Sequence, residues 1–201
     1  MRLCEGESMS VQAVFVLTLT AAAMMMDIAS GKIANLLCFA GWIGGFAVNL
    51  LLMYEKASVV TGVFSGSAKG FPRELVYEFM RTAVFWAAGC AVPFLLGFPL
   101  FRFRMIGAGD VKLLMAVGGM IGPASVLLFL AVSVVCGAFI SVLLLLGVVG
   151  VRERFAYFMG YLEAVAQEKR ILPYRGDASA EFHFSAAIFM AALLYAGGMI
   201  A

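Results

Sequence analysis

Charge is what this chain has least of: Asp, Glu, Lys and Arg together make up 13% of its 201 residues, roughly half the share of an ordinary soluble domain. With 64% hydrophobic side chains beside them, that shortage excludes a water-soluble globular fold and leaves an integral membrane protein. Histidine is nearly missing as well, with His183 alone at the mouth of the last apolar segment. A zinc site needs clustered imidazoles or thiolates. The four cysteines, Cys4, Cys38, Cys90 and Cys136, contain no C-x-x-C pair, and three of them fall inside apolar runs, where a thiol behaves as a small buried hydrophobe. No metal, no cofactor and no nucleic-acid partner is expected. The chain also lacks internal repeats, low-complexity tracts and a domain linker, so residues 1–201 read as one membrane-embedded domain.

What is present is a series of long apolar runs. A hydrocarbon core of about 30 Å takes roughly 20 residues of helix. Met9–Met26, Leu36–Tyr54, Thr82–Phe101, Ala124–Val151 and Phe184–Ala201 have about this character. A sixth segment, Val111–Ile121, is too short to cross unaided and is bracketed by Gly107, Gly109, Gly118, Gly119, Gly122 and Pro123. It crosses either by starting nearer Arg104 and tilting, or with irregular backbone sheltered by protein or water. The expected fold is therefore all-α, a polytopic protein with six transmembrane helices. The first run resembles a signal peptide in having Arg2 before it and Ala21-Ala22-Ala23 within it. Glu5 and Glu7 dilute its positive start, however, and the apolar pattern continues unbroken through Met24–Met26. Helix 1 is expected to stay, with Met9 an alternative start.

Two stretches outside the spans show helical spacing of apolar residues among charges. Leu75, Val76, Phe79 and Met80 suggest a helix lying on the membrane surface, and Phe155, Phe158, Leu162 and Val165 another within Arg152–Phe182.

Asp27 and Asp110 stand where apolar segments meet polar ones, and an ionisable residue there is costly enough to indicate function. Asp27 follows the first span and Asp110 precedes the fourth, with two crossings between, so both lie on one membrane face whichever way the protein is oriented. That face also carries Lys32, Arg102, Arg104, Lys112, Arg152, Arg154, Lys169, Arg170 and Arg175. Arg2, Lys56, Lys69, Arg73 and Arg81 lie opposite. The excess makes the aspartate face cytoplasmic and puts both termini outside.

Each aspartate alone is compatible with a helix cap or an ion pair, Asp27 with Lys32 and Asp110 with Lys112 or Arg104. Together they suit a water-activating pair, because two nearby carboxylates resist ionising together and one is left holding a proton. Gly107 and Gly109 let the backbone approach a substrate strand. The Walker spacing that would make such a turn a phosphate cradle is absent.

Gly107-Ala-Gly-Asp110-Val-Lys112 resembles the G-x-G-D-x-K signature of type IV prepilin peptidases, the GxGD intramembrane aspartic proteases. Asp27-Ile-Ala-Ser-Gly-Lys-Ile-Ala-Asn35 resembles that family's first motif, with Asn eight positions after Asp and Ala34 where Pro is usual. The size fits the small single-domain branch of Tad/Flp pilus systems. The resemblance implies an aspartic endopeptidase that cuts the leader from Flp-type prepilin-like or pseudopilin substrates at the cytoplasmic face of the inner membrane. It implies Asp27 and Asp110 as the dyad, and Gly107, Gly109, Lys112 and Asn35 as supporting or substrate-binding residues. Basic leaders ending in Gly and followed by an apolar segment are the implied substrates. Larger relatives carry a cytoplasmic domain with two C-x-x-C pairs and N-methylate the product. Neither is found here, so no methyltransferase activity is expected. Two rival readings use the same residues: a proton-coupled transporter in which the aspartates relay protons, and a non-catalytic pilus assembly factor.

Overall fold

The computed structural model describes residues 2–61, 73–103, 106–147, 159–160 and 183–199. Among these the chain is helical throughout: α1 (Arg2–Ser30), α2 (Asn35–Thr61), α3 (Arg73–Arg102), α4 (Ala108–Ile121), α5 (Pro123–Gly147) and α6 (Phe184–Ala196). Four stretches, Val11–Ser30, Asn35–Lys56, Leu75–Arg102 and Pro123–Leu144, are long and apolar enough to cross a bilayer. At most 28% of any of them is buried inside the protein. Leu36, Ile43, Val84, Leu95, Val135 and Phe139 all face outward. A surface this apolar is compatible with lipid and not with water.

The short segment is the centre of the bundle. α4 has 14 residues, about 21 Å of helix, and does not span the bilayer by itself. It is packed by α1, α2, α3, α5 and α6, which buries Val111, Leu113, Leu114, Ala116, Val117 and Met120. A helix apolar on every side is a core helix. Glycine lets its neighbours close in. A methyl group on Gly89 of α3 or on Gly118 of α4 would overlap the other residue's carbonyl oxygen, so the two backbones touch, as small residues permit in membranes. Gly122, at φ +89, ends α4 beneath the Phe85 ring, and Pro123 opens α5 with the fixed φ suited to a first helical position.

Several boundaries differ from the sequence expectation, among them the start of α1 at Arg2 and the end of α2 at Thr61. α1 runs on through Asp27 to Ser30, so the aspartate lies inside the last turns of the helix and not after it. Residues 73–81 are no separate surface helix but the start of the continuous α3; nothing between Arg81 and Thr82 breaks the helix. α4 starts at Ala108 with regular backbone, so it neither extends back toward Arg104 nor unwinds. α6 ends at Ala196 after 13 residues, shorter than a crossing. The stretch expected within Arg152–Phe182 lies outside the described residues apart from 159–160, which are helical.

Candidate active site

Asp27 is positioned by the way α1 stops. Gly31 takes φ +65, the left-handed conformation that closes a helix, and its N–H donates to the Asp27 carbonyl at 2.7 Å. The Ser30 hydroxyl reaches the carbonyls of Met26 at 2.7 Å and Lys32 at 3.0 Å, tying the turn to the helix. The Ala34 carbonyl then accepts from the Leu37 and Cys38 amides and starts α2 without the proline usual there.

Asp110 sits in the first turn of α4, behind an extended Gly107 that caps the helix without a side chain. The two glycines have separate uses. A Cβ on Gly107 would lie 3.1 Å from Asp110 Oδ2, and one on Gly109 would lie 3.1 Å from Ile33 Cβ. The first keeps room for the carboxyl; the second lets the α1–α2 turn pack directly on α4. Two hydrogen bonds complete the clasp. Lys112 Nζ donates to Asn35 Oδ1 at 2.8 Å, and Trp42 Nε1 donates to the Lys112 carbonyl at 3.2 Å. The lysine is thus directed to an amide of the first motif and not to the neighbouring carboxylate, and Asn35 uses its side chain across to α4.

The two aspartates, far apart in the chain, come within electrostatic reach of each other, and their surroundings differ. Asp110 has its Oδ1 buried with no hydrogen-bond partner. The groups within electrostatic reach of its carboxyl are Asp27, the Gly107 backbone amide and His183. Asp27 instead accepts a hydrogen bond on Oδ2 from the Ser185 hydroxyl at 2.5 Å. One carboxyl thus has a buried oxygen without a partner and the other is held by a donor, an asymmetry suited to acid–base work on one water.

Ser185 and His183 were not singled out as site residues by the sequence. Both stand at the start of α6, His183 at the cap position and Ser185 fully buried in the first turn. The available signal was positional: polar residues opening an otherwise apolar helix on the same face as the aspartates.

Residues 13–142 match the model of the type IV leader peptidase family. The match takes in both aspartates and α1 through most of α5, and ends before α6. No match was found among curated proteins or among solved structures.

Proposed function

The chain belongs to the type IV leader peptidase family, and from that premise we propose that it is an aspartic endopeptidase with Asp27 and Asp110 as its dyad. The observation that carries this reading is that the two carboxyls lie within electrostatic reach at one end of the bundle, one with a buried, unpartnered oxygen, the other held by Ser185. Asp27 takes a proton from the attacking water as the new C–O bond forms on the scissile carbonyl. Asp110 donates a hydrogen bond to the carbonyl oxygen. When the C–N bond breaks, the departing amine takes up a proton from the dyad, and no covalent intermediate is needed. Lys112 and Asn35 hold the two motifs in register. Gly107 and Gly109 keep the carboxyl and the turn close, leaving the site open to an extended strand.

The proposed substrates are Flp-type prepilins or pseudopilins, cut after a basic leader at the cytoplasmic face of the inner membrane. The Lys/Arg excess on the aspartate side supports that face. Six crossings, with α4 and α6 as short members sheltered by the other four, and both termini outside complete the topology, and the whole chain acts as one domain. Without the cysteine pairs of larger relatives, the product is released unmethylated; methylation from S-adenosylmethionine by the purified protein would contradict this.

Co-expression with a Flp-type prepilin provides the test. Wild type removes the leader, seen as a shorter pilin on a gel, whereas Asp27→Ala and Asp110→Ala leave it attached. Processing by either variant would exclude the dyad.

A further inference from the structure

We propose that the first turn of α6 is part of the catalytic machinery, with Ser185 as the residue that positions Asp27. This rests on the dyad reading and extends it to a helix beyond the region matched by the family model.

α6 is fixed in place by α1 and α5. It packs closely because its inward face is largely of small side chains: Ser185, Ala187, Ala191 and Ala192 are all fully buried. The start of such a helix cannot move independently of the dyad. Ser185 Oγ lies 2.5 Å from Asp27 Oδ2, a short hydroxyl–carboxylate bond of the charge-assisted kind. Thr18, Thr20, Ser30 and Ser133 return their hydroxyls to carbonyls of their own helices. Ser185 instead reaches a carboxylate on a different helix. With Oδ2 occupied and the rotamer thereby fixed, Oδ1 is the oxygen left to take the proton of the attacking water. His183, at the cap position of the same helix, lies within electrostatic reach of Asp110. α6 thus addresses both members of the pair, and Ser185 is the one in hydrogen-bond contact.

A positioning role affects turnover more than substrate binding, since geometric misplacement of a reacting group costs on the order of 10- to 100-fold. The test uses the full-length protein in detergent with a peptide bearing a Lys/Arg-rich leader ending in Gly and an apolar segment after it. Ser185→Ala should lower kcat about 10- to 100-fold with KM within about twofold of wild type. Ser185→Thr, which keeps the hydroxyl, should recover most of the loss. Adding Ser185→Ala to Asp27→Asn should cost nothing further. A kcat for Ser185→Ala within about twofold of wild type, or a Thr variant no better than Ala, would overturn the inference. If Asp27→Asn is inactive while Ser185→Ala is unimpaired, only the role of Ser185 falls. If Asp27→Asn still cuts, the dyad falls with it.

Discussion

At the Ile121 end of α4, polar groups from three helices meet one another, Asn49 buried and Gln12 half-buried: Gln12 Nε2 donates to Asn49 Oδ1 at 3.2 Å and to the Met120 carbonyl at 3.3 Å, and Asn49 Nδ2 donates to the Gly119 carbonyl at 2.9 Å. At the Ala108 end, glycines again let the chains close in, yet a carboxyl oxygen of Asp110 is buried with nothing to bond. Of the described side chains, the indole N–H of Trp86 at the first end is the other such group. It is a neutral donor whose ring packs edge-on against Phe46 at 5.3 Å. A neutral amide network saturated by its neighbours fastens helices. An unsaturated acid beside a second acid is expensive as structure and useful as chemistry. On the proposed reading, the contrast puts stability at one end of α4 and reaction at the other.

The sharpest way to break that division is at the dyad. Asp110→Asn and Asp27→Asn each change one atom and should reduce leader removal at least about a thousandfold, at wild-type protein levels on an immunoblot. A loss explained by missing protein would return the aspartates to structure. At the opposite end, Gly89→Ala puts a methyl group into the Gly118 carbonyl and should destabilise the fold by about 2 kcal/mol. Denaturant titration of the purified protein measures this, with cleavage per folded molecule nearly unchanged. Lys112→Met, which loses the bond to Asn35, should cost about tenfold in kcat/KM, or about 1.4 kcal/mol, read from initial rates. The smallest effect belongs to Asn49→Leu, about 1 kcal/mol of stability with no loss of specific activity. An inactive but stably folded Asn49 variant would show that the two ends are not separable.

Much of this plan was legible in the sequence because lipid imposes a simple pattern: long apolar runs mark helices, and acids at their ends are rare enough to stand out. Parity of the expected crossings puts Asp27 and Asp110 on one face, and in the fold the two lie within electrostatic reach. Helix limits were less legible. α1 continues past Asp27 and α3 begins at Arg73, because helix extension into polar sequence depends on packing and stop signals, not on hydropathy. The pairing of Lys112 with Asn35 was open because a long amine has several acceptors in reach, and only the packing of Ile33 on Gly109 selects one. Ser185 was hidden by its chemistry: a serine in an apolar helix ordinarily bonds its own backbone, and its partner is named only by the fold.

The central claim is that the two carboxyls act on each other, and the titration of the Asp110 side chain measures it most directly. Carboxyl ¹³C shifts of labelled protein in detergent follow that titration. Asp27 lies within electrostatic reach of Asp110 and two nearby carboxylates resist ionising together, so Asp27→Asn should move the midpoint down. Leader cleavage should likewise fall off both where the pair is fully protonated and where it is fully ionised. A midpoint unmoved by Asp27→Asn would mean that the two acids do not form a pair.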